Sequence, residues 1–184
     1  MAGEIAFIGM GGNVGDRQDF CDRALTLLGL LPHSQLTAVS SYYETESLDP
    51  EGMVGPRWFY NAVVQIETHI APHSLLEILQ ETERGLGRDD QHRQGPRTMD
   101  LDLLFYGQHI MKVPNLTIPH PRLHLRRFVL TPLVELNPNW NHPILNQTVK
   151  ELLHSLTDSE QVQKLDCVPG DRYGHHPTCH PPSH

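Results

Sequence analysis

No apolar run in this chain of 184 residues approaches the roughly 18–20 residues that cross a bilayer. The amino terminus, Met1-Ala2-Gly3-Glu4, lacks the basic segment and apolar stretch of a secretory signal. Cysteine is scarce: Cys21, Cys167 and Cys179 are odd in number and far apart, which argues against a disulfide framework and for the cytoplasm. Three nucleotide and nucleophile motifs are also missing. There is no G-x-x-x-x-G-K-[ST] loop, no G-x-G-x-x-G after a strand and no G-x-S-x-G elbow. The glycine-rich run Gly9-Met10-Gly11-Gly12-Asn13-Val14-Gly15 has no lysine, so a Walker-type phosphate cradle is excluded.

What is present is a globular composition, with 38% hydrophobic and 20% charged residues, at a length that favours one domain. The formal net charge of −8 disfavours a nucleic-acid partner. Its distribution is uneven. Between Glu81 and Phe128 stand eight basic and six acidic residues, whereas the rest of the chain holds six and sixteen. A basic segment in an acidic protein points to a local anionic ligand or to a solvated arginine face.

Hydrophobic patterning divides the chain into alternating elements. Glu4 to Met10 reads as a buried strand, and Val14 to Leu31 as an amphipathic helix with Asp16 near its start and Pro32 at its end. Gln35 to Glu44 is a second strand, residues 45–57 a loop rich in Pro and Gly, and Trp58 to His69 a third strand. Pro72 to Arg84 forms a second helix, residues 85–97 a second loop, and Thr98 to Tyr106 a fourth strand. Gln108 to Lys112 is placed to pair with that strand as a hairpin across Gly107. The order β-α-β-β-α-β predicts an α+β ferredoxin-like plait, an antiparallel sheet with helices on one face, followed by a C-terminal extension. Residues 1–158 form the domain in this reading. Residues 159–184, with their Pro- and His-rich end, form a disordered tail.

Three clusters carry chemistry. In Asp100-Leu101-Asp102 the period of two projects both carboxylates from one face while Met99, Leu101 and Leu103 point inward. Such a pair repels itself unless a cation compensates, and hard Mg²⁺ suits one or two carboxylates plus substrate phosphates. Gly95-Pro96-Arg97-Thr98 leads into the strand and sets Arg97 at its entrance, with Arg88 and Arg93 in the same loop. Guanidinium forks beside metal-binding carboxylates are the parts phosphoryl transfer requires. The third cluster runs from Ile118 to Phe128 and brings two histidines and three arginines within nine positions, an anion site approached from a second direction. Pro121 discourages an uninterrupted helix between His120 and His124, and no nearby cysteine completes a zinc set. The rival is a plait-fold RNA-binding module, but no basic-aromatic signature lies on a central strand. A phosphotransferase with another heterocyclic acceptor is the alternative among enzymes.

Four motifs in order, Gly11-Gly12-Asn13-Val14-Gly15-Asp16, Phe59-Tyr60-Asn61-Ala62, Gly95 to Asp102, and Pro119-His120-Pro121-Arg122-Leu123 with Arg126-Arg127-Phe128, resemble those of the 6-hydroxymethyl-7,8-dihydropterin pyrophosphokinases of folate biosynthesis. The likeness covers roughly residues 4–138. Gly12 stands where the family commonly has Ser, and Gln94 where some members carry Trp. The resemblance implies a ferredoxin-like fold and transfer of the β,γ-diphosphate of ATP to the pterin hydroxymethyl group, with release of AMP. It implies two Mg²⁺ ions on Asp100 and Asp102, and nucleotide contacts from Gln80, Glu83, Arg88, Arg97, His120 and Arg126. Arg88, Arg97, Asp100 and Asp102 would be catalytic. For the pterin it implies a sandwich between Phe59 and Phe128, an edge contact from Asn61, and contributions from Thr45 and Leu48. Loops 45–57 and 85–97 would close over ATP. The expected partners are these two small substrates, with no nucleic acid and no membrane, and the expected state is a monomer.

Overall fold

The computed structural model describes residues 3–46, 58–88, 98–167 and 169–170. The first strand, β1 (Glu4–Gly12), is followed by α1 (Arg17–Gly29), β2 (Ser34–Val39), β3 (Tyr43–Glu46), β4 (Trp58–Thr68), α2 (Pro72–Gly85) and β5 (Asp100–Tyr106). A small hairpin, β6 (Met111–Val113) and β7 (Leu116–Ile118), leads through a 3₁₀ turn to α3 (Arg127–Leu136), α4 (Val149–Ser155) and β8 (Val162–Lys164). The main sheet runs β5-β1-β4-β3-β8, with β2 also on β4, and every pairing in it is antiparallel.

Alternation sorts the strand residues onto two faces. Ala6, Ile8 and Met10 of β1, Ala62, Val64 and Ile66 of β4, and Leu101 and Leu103 of β5 pack under α1 and α2. Phe7, Val63 and Phe105 pack on the opposite side against Leu123, Val129, Leu130 and Leu133, with Val149 and Leu152 of α4. Phe7 meets Trp140 edge-on at 4.8 Å between centroids. Helices therefore cover both faces, not one face alone. The C-terminal chain contributes the second layer because Val129, Leu130 and Leu133 present a helical apolar stripe.

Four other expectations change. The second strand is not continuous: it breaks between β2 and β3 at Ser40. Ser40 N–H donates to Val63 O at 2.9 Å, and Val63 N–H donates to Ser40 Oγ at 2.9 Å, so a side chain takes a ladder position belonging to a carbonyl. The chain after Gly107 does not pair with β5. β6 pairs with β7 instead, and the outer carbonyl of Leu104 on β5 is taken by His120 N–H at 2.9 Å. Nor is the chain past Asp158 a free tail throughout. β8 extends the sheet beside β3, and Leu165, only 2% exposed, joins the core. Cys167 is disulfide-bonded, a departure from the expectation drawn from cysteine count, while Cys21 is a free, buried thiol.

Glu135 on α3 ties these layers together. Its carboxylate accepts from Ser41 N–H and Oγ–H at 3.1 and 2.8 Å, from Tyr43 Oη–H at 2.8 Å and from Lys164 Nζ at 3.3 Å. Partial burial works against the charge. The hydrogen bonds from Ser41 and Tyr43 outweigh it and hold the group below its ordinary value. A carboxyl depressed by folding stabilises above its unfolded value and ceases to as pH falls through the folded one. Glu135→Gln is expected to lower stability at pH 7 by about 1 kcal/mol, since the group is partly solvated. Urea unfolding at pH 7 and again near pH 3 should show that gap close; an equal gap at both would contradict the assignment.

Candidate functional site

The site is built on the face of the sheet shared with α3. β1 lies between β5 and β4 and places Gly11 opposite both Asp100 and Asn61, and Gly9 opposite both Asp102 and Val63. Glycines at these two positions leave a floor without side chains between the carboxylates and Asn61. With strands about 4.8 Å apart, that floor separates Asp100 from Asn61 by about 10 Å.

On β5, Met99, Leu101 and Leu103 are buried at 0, 3 and 4% exposure, so Asp100 and Asp102 share the other face, as alternation predicts. Each has a guanidinium partner. Arg88 lies 3.1 Å from Asp100, and Arg126 lies 3.8 Å from Asp102. The Asp102 side chain is about half exposed and open to a ligand.

Glu83, in the last turn of α2, is buried behind this pair. One carboxylate oxygen accepts Leu101 N–H at 2.6 Å, on the outer edge of the terminal strand, and the other holds Arg88 at 2.5 Å. Burial pushes Glu83 up to about 7, against the lowering effect of Leu101 N–H and Arg88. Glu83 thus grips the backbone between the two aspartates and the arginine that faces one of them. Gln80, one turn earlier on α2, is exposed and makes none of these contacts.

His120 and Arg126 approach from the far side. Burial lowers the affinity of His120 for a proton; Asp102 opposes this, and Arg126 and Arg122 reinforce it. Its Nδ1 accepts Arg122 N–H at 3.2 Å, so the neutral ring carries its proton on Nε2, a donor for an anion. The Arg126 guanidinium sits 5.6 Å from the centroid of the Phe128 ring.

At the opposite end of the floor, Asn61 Nδ2–H donates to Thr45 Oγ at 2.6 Å, and both residues are buried. Phe59 precedes Asn61 by two residues on β4 and pairs with Thr45 on β3, which puts it on the same face. Leu48 and Arg97 lie outside the described residues, as do Arg93, Gln94 and most of the two loops expected to close. A separate cleft of about 480 Å³, lined by Gly3, Glu4, Gly107, His109 and Trp140 among others, opens at the other end of β1, roughly 20 Å along the strand. The residues that sequence reasoning missed are the supports: Glu135, Glu160 beneath Phe128, and Arg17, which pairs with Glu44 at 2.8 Å and lies over the Tyr60 ring. No motif marks them, because each acts on a residue far away in sequence.

Paired carboxylates facing arginines on an open sheet face define a phosphotransferase type of centre. Solved structures share the fold. The HPPK-DHPS crystal structure of Plasmodium falciparum with pteroate matches over 83% of this chain with a TM-score of 0.65 at 16% identity. An HPPK-DHPS in complex with substrates matches over 84% with a TM-score of 0.64 at 14% identity. This chain covers 44% and 43% of those two chains. The family model for 7,8-dihydro-6-hydroxymethylpterin-pyrophosphokinase matches residues 7–138, and the chain belongs to that family. The 2-amino-4-hydroxy-6-hydroxymethyldihydropteridine pyrophosphokinase of Bacillus subtilis is 40% identical over 159 residues, 86% of this chain and 89% of the relative. That of Haemophilus influenzae is 35% identical over 158 residues, covering 86% and 96%. A bifunctional protein FolKE of Lactococcus lactis is 35% identical over 161 residues, of which the match takes up 44% of its length.

The glycine floor is testable by itself. A Cβ on Gly11 would lie 2.7 Å from Asn61 Oδ1, and that amide is held from behind by Thr45. Gly11→Ala is therefore expected to cost about 1–3 kcal/mol, the range of overpacking in a rigid site, where an alanine in an ordinary strand would be neutral or favourable. Chemical denaturation beside Gly9→Ala checks it. There the added carbon meets only the Leu104 methyls, at 3.4 Å, and a smaller loss is expected.

Proposed function

We propose that this chain transfers the β,γ-diphosphate of ATP to the hydroxymethyl oxygen of 6-hydroxymethyl-7,8-dihydropterin and releases AMP, a step of folate biosynthesis. The observation that carries the reading is the row across three strands: Asp100 and Asp102 with their arginines, a bare glycine floor, and the buried Asn61–Thr45 pair. A triphosphate fits one end and a flat heterocycle the other. The sheet order β5-β1-β4 followed by β2 and β3, with α1 and α2 on one face, supports a ferredoxin-like plait to which α3, α4 and β8 are additions.

In this reading Asn61 and Thr45 recognise the edge of the pterin, and Phe59 and Phe128 stack on its faces. Arg88, Arg126 and the Nε2–H of His120 neutralise phosphate oxygens as charge moves towards the α-phosphate. Arg97 at the strand entrance and Leu48 in the first loop complete the expected set, with Gln80 and Glu83 on the nucleotide side. The residues fit Mg²⁺. Two hard carboxylates share one face, Asp102 half exposed and Asp100 more buried, and among the described residues no group of three or more His, Cys, Asp or Glu forms a closed metal cage, so substrate oxygens would fill the other ligand positions. Asp100 and Asp102 would hold such ions, which would supply positive charge to the phosphate oxygens and lower the pKa of the attacking hydroxyl. That oxygen forms a bond to the β-phosphorus, the bond from the β-phosphorus to the oxygen on the α-phosphorus breaks, and AMP departs with the electron pair. The hydroxyl proton goes to solvent. Positioning and charge neutralisation supply the acceleration, without a dedicated general base.

The test is to incubate the protein with ATP, Mg²⁺ and hydroxymethyldihydropterin and identify the nucleotide released. AMP is expected, with none formed when EDTA removes the metal; ADP would point to another phosphotransferase. Asp100→Ala and Asp102→Ala are each expected to reduce turnover by 100-fold or more, roughly 3 kcal/mol in the barrier. Their melting temperatures should stay near that of the parent. Near-normal AMP release by the folded double variant would remove the metal role.

A further inference from the structure

We propose that Glu160 is a positioning residue of the acceptor pocket: it caps the amino terminus of α3 from 32 residues further along the chain and so holds Phe128 in place. The inference rests on the reading above, in which Phe128 stacks on the pterin. α1 and α4 carry their own caps, Asp16 and the Thr148–Glu151 box. α3 does not. Its N-cap residue is Arg126, whose side chain gives the helix no capping hydrogen bond. The first N–H groups of a helix have no partner within it and need one from elsewhere. For Phe128, the second residue of the helix, that partner is Glu160 Oε2 at 3.2 Å. A carboxylate there also meets the positive end of the helix dipole.

The placement of Glu160 is itself built. Asp158 Oδ1 accepts both Arg127 Nε–H at 2.9 Å and Glu160 N–H at 3.0 Å, a turn that aims the Glu160 side chain back at α3. Arg127 Nη2 donates to Leu156 O at 3.2 Å, which fixes the start of the segment. Pairing of β8 with β3 fixes its end, together with the bond from Leu165 N–H to Tyr42 O at 2.9 Å. The segment is thus tied to α3 at one side and to the strand carrying Thr45 at the other. Both walls of the acceptor pocket rest on it.

The experiment compares Glu160→Ala and Glu160→Gln in the full chain. It measures affinity for pterin in the presence of Mg²⁺ and a non-hydrolysable ATP analogue, KM and kcat for hydroxymethyldihydropterin, and affinity for the nucleotide alone. Removing a cap is expected to raise the pterin Kd and KM roughly 3- to 30-fold. The change in kcat and in nucleotide Kd should stay within roughly twofold, and Glu160→Gln, which keeps an acceptor oxygen, should recover most of the loss. Unchanged pterin affinity in the alanine variant overturns the proposal, as does an equal fall for pterin and nucleotide, which would mark a general structural role. If Glu160→Ala does not fold, Asp158→Ala unties the aiming turn and should raise the pterin Kd roughly twofold or more; no change there overturns the proposal equally. Amide exchange at Phe128 separates this inference from the assignment of the acceptor. Protection lost in Glu160→Ala and kept in Glu160→Gln upholds the cap even if the wild-type protein fails to bind pterin, and unchanged protection refutes it.

Discussion

Two like charges held on one side of a single strand govern this structure. Asp100 and Asp102 repel each other, and the more buried Asp100 also loses hydration. Among the described residues the fold answers with a guanidinium beside each: Arg88 from just past the end of α2, and Arg126 from the turn before α3. These arginines come from opposite sides of the sheet edge, so the arrangement requires both helical layers to be in place. A strand bearing the same two carboxylates on a sheet with helices on one face would have a single source of cations. The second layer is therefore part of the electrostatics of the site as well as part of the core.

Glu83 explains how such a centre stays ordered. A buried carboxylate beside Asp100 adds a third negative charge, and on Coulomb grounds alone it would be out of place. Its value is geometric. It satisfies Leu101 N–H on the open edge of β5 and clamps Arg88, so the backbone between the two aspartates and the cation facing one of them are set by the same group. Burial at that position pushes the group up to about 7, against the lowering effect of Leu101 N–H and Arg88.

Much of this was legible in the sequence, and the parts that were not share one cause. Periodicity identifies β1, α1, β4, α2 and β5 because their apolar residues recur at periods the chain itself displays. The side on which Asp100 and Asp102 lie follows from Met99, Leu101 and Leu103 alone. The break at Ser40 is not readable, since it depends on a hydroxyl replacing a carbonyl opposite Val63, 23 residues away. The chain after Gly107 pairs with β7 while the outer Leu104 carbonyl is taken by His120 N–H, 16 residues away, a contact that no local pattern marks. The β8 strand is three residues long, too short for a pattern to announce it; only the register of β3 gives it meaning. Long-range hydrogen bonds to single groups leave no periodic trace.

The C-terminal segment shows why that kind of invisibility matters for function. Residues chosen to contact a ligand must be placed by residues that do not, and the placing residues are free to come from anywhere in the chain. Phe128 closes the family motif, yet the helix start that carries it is completed by Asp158 and Glu160, beyond the last residue that the family model matches. Likewise Glu135 reinforces the β3–β8 pairing by holding the side chains of Tyr43 and Lys164, which face each other across it. In the proposed reading the motif supplies the groups that touch phosphate and pterin, and carboxylates outside it, Glu160 and Glu135, help to set where those groups stand.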